Sequence, residues 1–275
     1  MLGTDVTDLL EARGEDVVAA TRDTFDLTDT EAADAAVAGH DVVVNCAAWT
    51  AVDDAENHQA DAFAVNAVGP QLLARAARQH GARLVQMSTD YVFDGTASSP
   101  YQELGPTNPH SAYGRTKAAG EWAVRAELPD AHLVVRTAWL YGGHGSCFPA
   151  TIARLARERG SVDVVEDQIG QPTWTRDVAD LVHRLIHDDA PPGTYHATSA
   201  GRTSWFGFAQ EVVAAAGLDP TTVHPITSRE FVRPAPRPSY SVLAQGALEA
   251  LGITPIDDWQ KRWAEAAEEV LAQGG

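Results

Sequence analysis

Four runs of β-branched and apolar residues mark the first half of the chain: Asp16-Val17-Val18-Ala19-Ala20, Asp41-Val42-Val43-Val44-Asn45, Arg83-Leu84-Val85-Gln86-Met87-Ser88 and His132-Leu133-Val134-Val135-Arg136-Thr137. Each is continuous rather than alternating, the pattern of a strand covered on both faces. Between them the period changes. From Ala60 to Gln79, apolar residues recur at helical spacing through Phe63, Val65, Val68, Leu72, Leu73 and Ala76, and Tyr113 to Leu128 and Phe148 to Arg159 keep the same rhythm. Strand, helix and strand in series predict a parallel sheet with right-handed crossovers. Ligands bind such sheets beyond the carboxyl ends of the strands, where Asn45-Cys46-Ala47-Ala48, Ser88-Thr89-Asp90 and Thr137-Ala138-Trp139 fall. From Gly170 onward proline and glycine become denser, and helices expected at 176–187, 204–215 and 257–271 are separated by irregular links. This predicts a smaller lobe closing over the crevice, with the proline-rich stretch Phe231 to Tyr240 as an ordered loop.

Composition narrows what the crevice can serve. The formal charge is -18 and the acids are spread along the 275 residues, which argues for a soluble protein and against binding nucleic acid by phosphate neutralisation. The sequence has neither a signal-like N-terminal segment nor an apolar run of about eighteen residues, so no membrane association is expected. Two cysteines, Cys46 and Cys147, lack zinc or C-x-x-C spacing, and a reducing cytoplasm fits them. His183 and His187 stand four apart on an expected helix, but no third ligand follows at suitable spacing, so they read as a solvated face and no metal is expected there.

The chemistry-bearing stretch is Ser111-Ala112-Tyr113-Gly114-Arg115-Thr116-Lys117. Residues four apart share a helix face, so the phenol and the ammonium can reach one substrate atom. An adjacent cation stabilises a phenolate, and the pair suits general acid catalysis. The chain has eighteen arginines and only two lysines, Lys117 and Lys261. An ammonium at this place acts as a compact charge that a guanidinium cannot replace.

Four ordered blocks carry a resemblance: Val44-Asn45-Cys46-Ala47-Ala48-Trp49-Thr50-Ala51-Val52-Asp53-Asp54-Ala55-Glu56, Ser88-Thr89-Asp90-Tyr91-Val92-Phe93-Asp94-Gly95, Tyr113-Gly114-Arg115-Thr116-Lys117, and Arg136-Thr137-Ala138-Trp139-Leu140-Tyr141-Gly142. Together with Glu166 to Thr173 and Arg237-Pro238-Ser239-Tyr240-Ser241, they resemble the dTDP-4-dehydrorhamnose reductase family of extended short-chain dehydrogenase/reductases over nearly the whole chain. The resemblance implies an α/β fold: a Rossmann-type doubly wound parallel sheet over residues 1–147, and a smaller mixed α/β substrate lobe over 148–275, with the segment of about 174–200 returning to the sheet. It implies that Tyr113 donates a proton to the sugar 4-keto oxygen, that Lys117 lowers the pKa of Tyr113 and holds the cofactor ribose, and that Thr89 bonds the carbonyl region. Gly3, Asp26, Leu27, Ala48, Trp49, Thr50 and Met87 are implied on the cofactor side, with Thr89, Asp90 and Trp139 as sugar-nucleotide contacts. The implied cofactor is NADPH or NADH and the implied partner a dTDP-linked keto sugar, with a homodimer left open. Other readings stay open for Trp139, which can be core; for Asp26, which can cap a helix at Thr28 to Val37; and for Asn66, which can serve a polar relay or bond backbone.

The sequence departs from the family pattern at its start. Met1-Leu2-Gly3-Thr4-Asp5-Val6 reads as the last glycine of a dinucleotide-binding loop and the helix after it, so the first strand and two glycines are expected upstream, or else weakened cofactor binding. After the second expected strand stands Thr21-Arg22, with no acid until Asp23, which favours NADPH over NADH. Some relatives place a divalent cation between acids at a subunit contact; Asp5 matches one of them, but Arg176 falls where the second is expected. Reduction of dTDP-4-dehydro-L-rhamnose leads. Another NDP-sugar 4-ketoreductase, or a non-catalytic nucleotide-binding subunit like those partnering methionine adenosyltransferase, are the alternatives, and intact Tyr113 and Lys117 weigh against the last.

Overall fold

Three of the four expected strands form. The computed structural model describes residues 1–272, so residues 273–275 of the expected lobe lie outside the described residues. Its main sheet holds β1 (Val42–Asn45), β2 (Arg83–Thr89) and β3 (His132–Thr137). The remaining strands are β4 (Leu140–Tyr141), β5 (Val162–Val165), β6 (Ile169–Gly170), β7 (Thr173–Trp174), β8 (Gly193–His196), β9 (Ser199–Ala200), β10 (Thr203–Ser204), β11 (Val223–Ile226) and β12 (Ile256–Asp258). β8 joins the main sheet, giving the all-parallel order β1-β2-β3-β8. The others pair two by two, β5 with β11, β6 with β10, β9 with β12 and β4 with β7.

Helices α1 (Leu2–Ala12) and α7 (Thr175–His187) pack on each other. They cover one sheet face, where Val85, Met87, Leu133 and Val135 meet Leu2, Val6, Val178, Leu181 and Val182. The opposite face carries α2 (Thr30–Val37), α4 (Gly69–His80) and α5 (Ala112–Glu127), with Leu84 and Val134 against Val37, Leu73, Ala77 and Val124. Each fully buried Val or Leu of this kind contributes about 1.5–3 kcal/mol, so β2 and β3 anchor everything mounted on their ends. A short α3 (Gln59–Phe63) runs into α4 through a π-helical turn at Ala64–Val68. A separate core joins α6 (Phe148–Arg159), α8 (Trp205–Ala215) and α9 (Trp259–Ala272) to β5 and β11, through Ile152, Val164, Phe208, Val212, Val223 and Trp263.

The exception is Asp16–Ala20, which is irregular backbone rather than a strand. A strand needs a ladder partner within about 4.7–4.9 Å. Here a cleft of about 860 Å³, lined by residues including Val17, Val18, Ala19, Val42, Val43 and Val44, lies between this segment and β1. Among the described residues nothing pairs with that edge of β1, although its valines carry the uncharged, β-branched character of an interior strand. The expected solvated histidine face also differs in part. His183 is buried, stacked 5.7 Å from the His187 ring, and both line the cleft.

Candidate active site

Ser111 caps α5 by accepting a 3.0 Å bond from the Gly114 amide, which fixes the turn that presents Tyr113. The helix lies unusually close to its neighbours. A side chain at Gly114 would meet the Tyr91 carbonyl at 2.2 Å, and one at Gly120 the Asn66 carbonyl at 2.1 Å. Only glycine allows these approaches, and they set Tyr113 and Lys117 over the carboxyl end of β2.

The Lys117 ammonium is buried and donates 2.7 Å to the Met87 carbonyl. The same carbonyl takes the Gln86 side-chain amide at 2.8 Å, and Gln86 in turn accepts from Asn45 at 2.8 Å. A polar chain thus runs beneath the crevice from the end of β1 to α5. Burial lowers the Lys117 pKa to about 8, opposed by the Glu121 carboxylate.

Tyr113 corrects one expectation. Its phenol is pushed up to about 12 by burial, opposed by the Thr89 hydroxyl and reinforced by the Asp90 carboxylate; Lys117 is not among the groups that move it. The lysine head is turned to Met87 instead, while Tyr91 packs edge-on against Tyr113 at 5.6 Å. The phenol is therefore held protonated, the form a general acid requires. Thr89 donates 2.8 Å to Asp90 and accepts from the Tyr91 amide at 3.2 Å. Burial raises the Asp90 pKa to about 6, against the neighbouring Ser241 and Thr89 hydroxyls and the Asp90 and Tyr91 amides.

Asn66 bonds backbone rather than Tyr113 or Lys117. It accepts from the Trp49 amide at 2.8 Å and donates to the Trp49 carbonyl at 3.1 Å and to Thr116 at 3.0 Å, clamping Ala48-Trp49-Thr50 beside α5. Trp139 adopts a positive φ of 46° and stacks on Trp205 with centroids 3.6 Å apart, in a half-buried position at the end of β3. Gly3 lies in the first turn of α1, whose start has no side-chain cap, and a Cβ there would stand 3.5 Å from that of Cys46. An uncapped helix N-terminus beside a strand end suits a diphosphate.

The Asp26-Leu27 pair is divided. Asp26 is exposed and accepts from the Thr28 amide and hydroxyl at 2.8 and 2.7 Å, whereas Leu27 is buried against Gly69. The expected cap at Asp26 is displaced to Asp29, which takes the Ala32 amide at 2.8 Å, and α2 begins at Thr30. Asp5 faces Arg176 at 3.9 Å and His144 at 3.6 Å, and Arg176 pairs with Glu269 at 2.9 Å, so a guanidinium stands among these acids.

Several further groups at the site are marked by no motif in the sequence. Asp53 accepts from Arg233 and Arg237, both at 2.9 Å, and from the Ala235 amide at 3.2 Å, tying the Phe231–Tyr240 loop to the residues after β1. Gln86, Glu121 and Arg136 are buried polar residues; their signal was the polar position inside an apolar strand, or inside the apolar face of a helix.

The RmlD substrate binding domain family model matches residues 1–272. The chain is 48% identical over 281 residues to dTDP-4-dehydrorhamnose reductase of Streptomyces griseus, covering 100% of this chain and 92% of that protein. The chain belongs to the dTDP-4-dehydrorhamnose reductase family. A second relative of this reductase family, named a probable dTDP-4,6-dihydroxy-2-methyloxan-3-one 4-ketoreductase of Streptomyces antibioticus, is also 48% identical, over 99% of this chain and 93% of its own. Among solved structures, the Bacillus anthracis dTDP-4-dehydrorhamnose reductase in complex with NADP matches with a TM-score of 0.92 and 34% identity, over 99% of this chain and 95% of that one. Family membership makes the chain a Rossmann-type oxidoreductase.

Proposed function

We propose that this protein reduces the 4-keto group of a dTDP-4-keto-6-deoxy sugar, dTDP-4-dehydro-L-rhamnose in the first instance, with NADPH as cofactor. The observation that carries the reading is the convergence, at one strand end, of a half-buried phenol held protonated, a buried ammonium and a hydroxyl–carboxyl pair, Thr89 and Asp90. The residues fit the cofactor: the start of α1 at Gly3 for the diphosphate, Ala48, Trp49, Thr50 and Met87 along the crevice, and Tyr113 and Lys117 at the ribose. Leu27 would contribute through backbone only, since its side chain is committed to the core. NADPH, when bound, supplies the hydride.

The chain supplies the rest. Thr89 orients the substrate carbonyl, and Tyr113 gives its proton to the oxygen as that oxygen gains charge. Lys117 keeps a positive charge beside the forming alkoxide, and Asp90 with Trp139 holds the sugar nucleotide. Arg22 at the expected 2′-phosphate position favours NADPH over NADH. Residues 1–147 serve as the cofactor domain and 148–272 mainly as the substrate lobe, with α7 and β8 returned to the sheet.

A second substrate reading has its own support. The two relatives at 48% identity have different named substrates, so another NDP-sugar 4-ketoreductase with the same residues is the alternative. Incubation with dTDP-4-dehydro-L-rhamnose and NADPH, followed by NMR of the product at C4, tests both. Formation of dTDP-L-rhamnose supports the first reading; turnover of only other 4-keto sugars moves the assignment to the second. A homodimer in the cytoplasm belongs to the same proposal and is checked by light scattering and fractionation. No helix among the described residues is long and apolar enough to cross a membrane.

A further inference from the structure

Glu121 lies one helical turn beyond Lys117 and two beyond Tyr113, and it is 1% exposed. Its two oxygens accept four hydrogen bonds. One takes the Ser88 hydroxyl at 2.6 Å and Arg136 Nε at 2.8 Å; the other takes Arg136 Nη2 at 2.8 Å and Arg125 Nη2 at 2.9 Å. Arg136, also 1% exposed, reaches the Glu103 carbonyl at 3.0 Å and lies over the Phe93 ring at 4.9 Å. Arg125 continues to Thr194 of β8 at 2.9 Å. One carboxylate thus joins α5 to β2, β3 and β8.

The placement of Ser88 gives this node a bearing on the chemistry. Its neighbour Met87 holds the Lys117 ammonium through its carbonyl, and its other neighbour is Thr89. We infer that Glu121 is a positioning residue for carbonyl reduction: it locks α5 to the end of β2, fixing Lys117 and Tyr113 against Thr89, and its negative charge favours the buried ammonium one helical turn away. A purely structural tie could be made with apolar side chains at less desolvation cost.

The charges around Lys117 decide the sign of the test. Glu121 acts on it from α5 and Cys46 lies at the end of β1; Arg136 and Arg125 are the cations held by Glu121. Burial raises the Cys46 thiol to about 12, leaving it neutral at working pH. Burial also works against the Glu121 carboxylate, but Arg136, Arg125 and Ser88 outweigh it and hold it ionised. Removing the Glu121 charge leaves three cations together, so the Lys117 ammonium becomes harder to keep.

The inference rests on the reductase reading for its meaning, but its first test needs no substrate. The chain has two lysines, so 15N-lysine NMR gives two side-chain signals, and Lys261→Arg assigns them. In Glu121→Gln the Lys117 titration should move to lower pH by at least about half a unit, the alkaline limb of the rate profile should follow, and Glu121→Asp should recover most of both. Arg125→Gln, at a partly exposed position, should move it the other way by less. A folded Glu121→Gln protein with an unmoved Lys117 titration overturns the inference. If Glu121→Gln does not fold, Arg125→Gln decides: an upward shift supports it and an unmoved titration overturns it. Should the titration shift while no keto sugar is reduced, the reductase reading fails and the charge coupling stands.

Discussion

Along the β2–β3 side of the crevice, every residue from Leu84 to Thr89 and from His132 to Thr137 is buried, and the buried charges of Glu121 and Arg136 are paired. Along the β1 side, Val42, Val43 and Val44 are only half-buried, and an 860 Å³ cleft separates them from an irregular segment with no ladder partner. The groups assigned to proton delivery stand on the first side. The segments assigned to the adenosine end of the cofactor, Thr21-Arg22 and Asp26, stand on the second and are exposed. Rigid support is therefore concentrated where a proton must be placed within hydrogen-bond reach, and substitutions on the two sides should differ in kind.

The sharpest contrast lies in activity. Lys117→Met on the closed side should lower kcat/KM by on the order of 10²-fold or more, whereas Arg22→Ala on the open side should act mainly on KM for NADPH. Steady-state kinetics with NADPH varied separates the two, and a Lys117→Met enzyme impaired only in KM breaks the comparison. Because Lys117 has a pKa near 8, wild-type activity should fall as the pH rises through about that value, as the ammonium is lost.

Stability should divide next. Arg136→Met leaves a buried Glu121 without its bidentate partner and should cost about 3–5 kcal/mol in urea unfolding. Val43→Ala, on a half-buried edge, should cost less than about 1–1.5 kcal/mol. Equal losses would mean that the open edge is as tightly integrated as the interior strands.

A smaller effect comes from Asp90. Its folded pKa of about 6 lies above the ordinary carboxyl value, so its contribution to stability is fully present below pH 4 and is lost as the pH rises through 6. Asp90→Asn should therefore raise Tm by a few degrees at pH 7.5, worth on the order of 1–3 kcal/mol, with the gain vanishing near pH 4. A gain that persists at pH 4 would show that the carboxyl is not destabilised by ionisation.

These differences follow the limits of legibility in the sequence. The three strands that formed are those whose apolar runs find neighbours; Asp16–Ala20 has the same composition, but a ladder depends on a partner that local pattern cannot supply. The spacing of Tyr113 and Lys117 placed both on one helix face, yet it could not say that the ammonium turns to the Met87 carbonyl, because that depends on which strand end lies beneath. Asn66 stood out as a polar residue within a helix; its actual service to the Trp49 backbone rests on a loop seventeen residues earlier. Glu121 and Arg136 stand out only as polar positions inside otherwise apolar patterns. Only tertiary packing distinguishes a solvated pair from one buried at 1% exposure.

Tyr113→Phe tests the assignment of proton delivery most directly, because it deletes one hydroxyl and little apolar volume. Assayed with dTDP-4-dehydro-L-rhamnose and NADPH under conditions where the parent turns over, the variant should keep its Tm and its NADPH affinity within about twofold. It should lose on the order of 10²–10⁴-fold in kcat/KM. A folded, NADPH-binding Tyr113→Phe enzyme that retains more than about half of the parent kcat/KM would contradict the assignment.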